Sequence, residues 1–178
     1  LLATKLGKAI RFDVNDVRVF VGRDSSGVRG IRLKPNDTVV SMSLLPDVEK
    51  RFVLSVTENG FGKRTPVEDY RMTNRGGQGV ANIECSVRNG PVVASYVTSE
   101  ENQIMLVTNS GKLIRIRVHG GEGDSIRVAG RKTQGVRLFD VDEGEKVVSV
   151  ALLADDDDDD DDNDNDNDDN QVIDNNEV

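Results

Sequence analysis

Apolar positions along this chain fall in short runs of four to seven residues, a pattern that suits β-strands rather than helices. Six runs, Val39–Leu45, Phe52–Thr57, Val92–Val97, Ile104–Thr108, Leu113–Val118 and Val147–Leu153, are rich in β-branched residues and predict strands. Turn formers separate them: Pro35-Asn36-Asp37, Glu58-Asn59-Gly60, Arg88-Asn89-Gly90-Pro91, Asn109-Ser110-Gly111 and Asp142-Glu143-Gly144. Asn-Gly and Ser-Gly steps suit tight hairpins, because Gly and Asn tolerate positive φ. The longest helical candidate, Pro46–Arg51, is one turn at most. The pattern predicts an all-β body.

The strands recur in order. Gly7-Lys8-Ala9-Ile10-Arg11, Gly62-Lys63-Arg64-Thr65 and Gly111-Lys112-Leu113-Ile114-Arg115 each open a copy of one pattern. A loop ending in Gly follows each: Gly22 to Arg29, Arg75 to Val80, and Gly130 to Arg137. A valine-rich strand closes each copy, at Val39-Val40-Ser41, Val92-Val93-Ala94-Ser95 and Val147-Val148-Ser149-Val150. The marker glycines recur at roughly 50–55 residues, the spacing of propeller-like blades. Leu1-Leu2-Ala3-Thr4 already reads as mid-strand, like Leu106-Val107-Thr108, so the chain is expected to be a fragment cut inside a blade.

The repeat returns basic residues to equivalent places. In Leu113–Val118 arginines alternate with apolar residues, so one face buries while the other presents charge, and Gly27–Leu33 alternates likewise. Any solvated strand face can carry Lys or Arg; recurrence in three copies tilts the reading toward a cationic track.

Charge sharpens this division. The segment from Ala154 to Val178 holds 13 Asp and one Glu with no Lys or Arg. The first 153 residues therefore hold all 23 basic residues against 18 acidic ones, a basic body of +5 inside a chain of −9. Such asymmetry points to a polyanionic partner. The Asp155–Asp162 run and the Asn/Asp alternation after it have nothing apolar to offset ordering entropy, so residues 154–178 are expected to form a disordered acidic tail.

Catalytic constellations are missing. His119 is the sole histidine and Cys85 the sole cysteine, expected respectively on the surface and as a small packed residue. One cysteine excludes an intrachain disulfide framework and suits a reducing compartment. Asp164–Asp168 lacks the Gly and Glu of a calcium loop. Arg75-Gly76-Gly77-Gln78-Gly79 lacks a Walker lysine; it is either a tight inter-strand loop or a place where backbone approaches a phosphate. Five Phe and two Tyr in no repeated motif argue against single-strand readers, whereas duplex binding through phosphates needs only spaced Lys and Arg. No apolar run approaches the roughly 20 residues that span a bilayer.

The motifs Ser26–Leu33, Thr57–Thr65 and Gly130–Val136, with Arg88–Val93 and Asn102–Met105, closely resemble the C-terminal domain of the bacterial DNA gyrase A subunit, over essentially all of residues 1–153. The resemblance implies a β-pinwheel, a propeller-like disc whose blades exchange strands, with about three blades of a larger disc present. It implies non-sequence-specific duplex DNA binding and wrapping on a basic rim, in support of ATP-dependent negative supercoiling. Recurrence and resemblance together assign phosphate contacts to Lys8, Arg11, Arg23, Arg29, Lys63, Arg64, Arg75, Lys112, Arg115, Arg131 and Lys132. The family's Q-R-R-G-G-K-G box is missing, and Asn74–Gly79 resembles a degenerate copy of it. Leu44–Phe52 looks short and His119–Asp124 long for the pattern, both as rim or edge variations. The cleaving tyrosine lies elsewhere in the family, so neither Tyr70 nor Tyr96 takes that role. The implied partners are duplex DNA and the other gyrase subunits, one B and a second A, with no membrane. The stretch itself needs no cofactor, ATP and magnesium belonging to the holoenzyme of a type II topoisomerase, and the implied location is cytoplasmic and nucleoid-associated. The alternatives are the equivalent domain of topoisomerase IV and a β-propeller scaffold for acidic proteins.

Overall fold

The structure, a computed structural model, describes residues 1–45, 51–120 and 125–153. The helical candidate at 46–50, most of the His119–Asp124 loop and the acidic tail lie outside the described residues. Among the described residues eleven strands run in order: β1 (Leu2–Thr4), β2 (Lys8–Ile10), β3 (Val39–Met42), β4 (Phe52–Thr57), β5 (Phe61–Pro66), β6 (Val80–Ala81), β7 (Val92–Thr98), β8 (Gln103–Thr108), β9 (Leu113–Arg117), β10 (Val136–Arg137) and β11 (Val147–Leu153). Among the described residues there is no α-helix, only single 3-10 turns at Val14–Asp16 and Val67–Asp69.

Three antiparallel sheets result, ordered β3-β1-β2-β6, β7-β4-β5-β10 and β11-β8-β9. In each, a hairpin forms first and a later strand returns to flank its first member. The fourth strand comes from the next repeat. β6, which follows the second hairpin, pairs with β2 of the first, and β10, which follows the third, pairs with β5 of the second. Successive blades thus exchange edge strands.

The three hairpins share one turn. Thr4-Lys5-Leu6-Gly7, Thr57-Glu58-Asn59-Gly60 and Thr108-Asn109-Ser110-Gly111 each close with the Gly N–H donating to the Thr carbonyl, at 3.0–3.1 Å. The glycines take φ of 79°, 77° and 85°, the left-handed step that follows a type I turn in hairpins with a one-residue bulge. All three threonines are buried, and Thr4 and Thr108 accept through Oγ1 from the N–H of Lys8 and Lys112. The structural equivalent of Gly7 and Gly111 is therefore Gly60, two residues before the Gly62 that the Gly-Lys motif suggests. Phe61 takes the place of Lys8 and Lys112, and Lys63 takes the place of Ile10 and Ile114.

Apolar packing fills the seams between sheets. Ala3 and Ala9 of the first sheet pack with Val53, Val67 and Tyr70 of the second repeat. Leu54, Val56 and Ala94 pack with Ile104, Leu106, Val147 and Val150 of the third. Backbone bonds stitch the seams as well: Val92 N–H donates to Lys5 O at 2.9 Å, and Val147 N–H to Glu58 O at 2.8 Å. Inside the second blade Asn82 organises a buried polar knot. It accepts from Tyr70 Oη at 2.6 Å and donates to Ser95 Oγ and Ser55 Oγ at 2.9 and 3.0 Å.

The expected strands stand where the hydropathy pattern set them, shortened at Val39–Met42 and by one residue at Leu113–Arg117, and lengthened by a residue at Thr98 and Gln103. Cys85 sits half-buried against the Gly7 turn, outside any strand, and His119 is exposed with Nδ1 2.7 Å from Ser125 Oγ. In β11, Val147 and Val150 are buried while Val148 and Leu152 face outward; the three-residue step between the buried valines follows the register shift between Val147 and Ser149.

Candidate nucleic-acid interface

Two matching segments, residues 70–79 and 126–135, lie along the outer edges of β2 and β5. Each ends in a glycine at positive φ, Gly79 (70°) and Gly135 (79°), just before the donated strand. A Cβ there would stand 2.4 Å from Ala9 O or 2.7 Å from Gly62 O. The loop-ending glycines therefore mark the point where one repeat's backbone meets its neighbour's.

An arginine clamps each segment. Arg11 Nη1 donates to Tyr70 O (3.4 Å) and Val67 O (3.3 Å), and Arg64 Nε donates to Ile126 O at 2.7 Å. Tyr70 and Ile126 occupy the same place, nine residues before Gly79 and Gly135. The backbone repeats the pairing: Thr73 N–H donates to Arg11 O, and Ala129 N–H to Arg64 O, at 2.9 and 2.8 Å. In the second blade Thr65 Oγ1 adds a bond to Ala129 O and Lys63 Nζ one to Gly130 O. Lys63 is fully buried, and burial, then the charge of Arg131, lowers its ammonium pKa to about 8. Arg64 is 4% exposed, lies over the Phe52 ring, and has its pKa lowered by burial.

This placement divides the residues assigned to phosphate. Lys63 and Arg64 point inward, and Arg11 is half-buried with its guanidinium on backbone carbonyls. Arg131 is half-buried too, its Nη1 reaching Ala81 O of the donated strand at 3.1 Å. Lys8 is half-buried, whereas Arg23, Arg29, Arg75, Lys112, Arg115 and Lys132 are exposed. Lys112 sits among acids: its Nζ is 2.5 Å from Asp142 Oδ2 and 2.9 Å from Glu145 Oε2. The Ser110 hydroxyl, the Asp142 N–H, Lys112 and Thr108 together hold the Glu145 carboxyl far below its usual range. Arg115 Nε donates to Gln103 Oε1 at 2.6 Å, and Arg115 and Arg117 face outward while Ile114 and Ile116 turn in.

The first outer segment gathers charge that the repeat motif alone missed. Gly76 N–H donates to Gly30 O, Arg32 N–H to Gly77 O at 2.8 Å, and Arg75 Nη1 to Arg29 O at 3.3 Å. These bonds lay residues 29–32 along the loop, bringing exposed Arg29 and Arg32 beside Arg75, with Arg71 on the same segment. Arg75 Nε is also tied to Asp16 O at 2.9 Å. The second segment carries exposed Arg127 and Lys132. Arg32, Arg71 and Arg127 stand outside the Gly-Lys motif; the alternation in Gly27–Leu33 was the signal for Arg32, and nothing local singles out the other two.

An open run of four-stranded and three-stranded sheets, exchanging edge strands and carrying basic segments on the outer edge, defines a β-pinwheel, a propeller-like class. The chain belongs to the family described as the DNA gyrase C-terminal domain, beta-propeller, which it matches over residues 1–46, 51–90 and 102–154. It is 39% identical over 201 aligned residues to the DNA gyrase A subunit of Rickettsia felis, the match taking in 87% of this chain and 22% of that protein. The chain thus spans about a fifth of the length of that relative. Among solved structures it is similar to the C-terminal domain of DNA topoisomerase IV, with a TM-score of 0.76 and 27% identity over 85% of this chain and 45% of that one. It is likewise similar to the DNA gyrase A C-terminal domain, with a TM-score of 0.70 and 28% identity over 86% and 50%. No helix among the described residues is long and apolar enough to cross a membrane.

Proposed function

We propose that this chain binds duplex DNA through phosphates along its outer edge, without sequence preference, and so provides a wrapping surface of a DNA gyrase A subunit. The observation that carries the reading is the pair of clamped outer segments. Equivalent arginines fix each to its blade, and each then presents exposed cations: Arg29, Arg32, Arg71 and Arg75 on one, Arg127 and Lys132 on the next. Exposed cations recurring on successive clamped segments suit a phosphate backbone, which rewards charge and position and asks for no base contact. In this reading strand cleavage, ATP and magnesium chemistry, and contacts with the other gyrase subunits, one B and a second A, belong to the longer protein. Wrapping biases the sign of the supercoils made there.

The measurement is duplex affinity against salt. Each phosphate contact removed should lower the log–log slope by about 0.9. Arg29→Gln/Arg32→Gln and Arg127→Gln/Lys132→Gln are both expected to flatten it, equally on unrelated duplex sequences. Unchanged slopes in both double variants, with intact circular dichroism, would reject the outer edge as the DNA surface.

A further inference from the structure

With the outer edge as the DNA surface, as proposed above, we infer that this edge grips the duplex unevenly. The seam where Arg29 and Arg32 meet Arg71 and Arg75 is the anchoring phosphate site, and Glu84, standing in Arg32's place at the next seam, weakens the hold there. One bonding scheme repeats at both seams and fixes the correspondence. Four residues before Gly79 and Gly135 stand Arg75 and Arg131. Each reaches back to the residue two past the previous such glycine: Arg75 Nη1 donates to Arg29 O at 3.3 Å, and Arg131 Nη1 to Ala81 O at 3.1 Å. Two residues before the same glycines, Gly77 O and Thr133 O accept from the N–H of Arg32 (2.8 Å) and Glu84 (3.0 Å). Arg29 thus corresponds to Ala81, and Arg32 to Glu84, by hydrogen bonding rather than by letter.

Charge at these matched places falls along the chain. The first seam brings together exposed Arg29, Arg32, Arg71 and Arg75. At the second, Ala81 carries no charge and Glu84 presents an exposed carboxylate beside the segment of Arg127 and Lys132. Arg131 adds little there, half-buried and spending a donor on Ala81 O. In the third repeat the same two places hold Arg137 and Asp140, which are ion-paired with each other. The aspartates behind the two seams do not alter the comparison, because Asp16 and Asp69 each end the 3-10 turn of their own repeat.

Glu84 is held where its charge counts. Its N–H is bonded to Thr133 O, and buried Asn89 spans the seam, its Nδ2 donating to Glu84 O at 2.8 Å and to Gln134 O at 3.0 Å. A carboxylate anchored one hydrogen bond from Thr133, the neighbour of Lys132, acts within the ~8 Å over which charges are felt at physiological salt. It therefore repels the same phosphate that Lys132 attracts. Both seams have the same backbone frame, so the difference between them lies in side-chain charge. A duplex laid along the edge is pinned at the first seam and released most easily at the second.

The test is duplex affinity against salt in the 178-residue protein, with charge exchanged at the matched places. Glu84→Arg should steepen the log–log slope by about 0.9 and tighten binding about three- to tenfold near 100 mM salt. Glu84→Gln should tighten it by less, and Arg32→Glu should flatten the slope by about 0.9. Glu101→Arg makes the same change of charge on the turn after β7, the strand at the opposite edge of its sheet from donated β10, and should leave the slope unchanged. Circular dichroism should match the parent throughout, because Glu84 and Arg32 make their seam bonds through the backbone. Should Glu84→Arg alter it, Glu84→Gln decides alone, and binding no tighter than the parent's overturns the inference. Weaker binding by Arg32→Glu with no gain from Glu84→Arg would overturn it too, while leaving the outer edge as the DNA surface. Equal tightening by Glu84→Arg and Glu101→Arg would do the same. Indifference to both Arg32→Glu and Glu84→Arg would reject the outer edge itself.

Discussion

Lys63 shows how one residue's meaning depends on register. It occupies the place of Ile10 and Ile114, fully buried, with its Nζ on Gly130 O. Its folded pKa of about 8 lies below the ordinary 10.5, so between those values the unfolded chain holds the proton more firmly. Stability should therefore rise with pH across that window, by up to ~3 kcal/mol from this group, with the full burial cost present below pH 8. Lys63→Ile should be no less stable than the parent at pH 7 and should lose this part of the rise. Parallel stability curves for the two proteins from pH 7 to 10.5 would contradict the assignment. Asn82 offers the opposite case, a buried polar residue whose partners are all satisfied. Asn82→Leu leaves the Tyr70, Ser55 and Ser95 hydroxyls without it, and should cost about 3 kcal/mol in a denaturant titration.

Leu113–Arg117 was legible because burial on one face writes a period of two into the sequence, and Phe52–Thr57 because burial on both faces leaves a short, nearly continuous apolar run. β5 was not legible. Phe61–Pro66 carries Lys63, Arg64 and Thr65 where a strand ordinarily shows apolar residues, since these three side chains bond backbone carbonyls of the 126–130 segment. The two-residue exchange strands β6 and β10 are too short for any periodicity, and only their preceding glycines announce them. The same physics separates clamp from rim: Arg64 and Lys132 look alike as letters, and only the fold shows which one faces a carbonyl. Arg64→Gln should accordingly destabilise the protein by about 2 kcal/mol and leave the salt slope of the folded fraction unchanged. A flattened slope at full stability would place Arg64 on the DNA instead. Within β11, Val147→Ala and Val150→Ala should each cost on the order of 1–3 kcal/mol, whereas Val148→Ala should stay within about 0.5 kcal/mol. Equal losses at all three would contradict the burial difference seen in that strand.

At the scale of the whole molecule, charge is split between a body of +5 and a C-terminal stretch of −14. Tethered to the body, that stretch is expected to compete for the cations of the outer edge at an effective concentration on the order of millimolar. Deleting Asp155–Val178 should tighten duplex binding when compared at one ionic strength, most of all near 50 mM salt. Identical affinities with and without it would reduce the stretch to a solubilising appendage. Composition disclosed this division fully, while the arrangement of cations along the edge depended on which repeat lends a strand to which.

That lending has a consequence for how the protein is made. β2 ends at Ile10, and the strand that covers its edge, Val80–Ala81, leaves the ribosome about 70 residues later; β5 waits a similar span for Val136–Arg137. At 5–20 residues per second, each nascent blade stands with a bare edge for roughly 4–14 s. During that interval the edge is a template for any passing strand. A translational pause placed between the second hairpin and Val80 would prolong the hazard, and one placed just after Ala81 would end it.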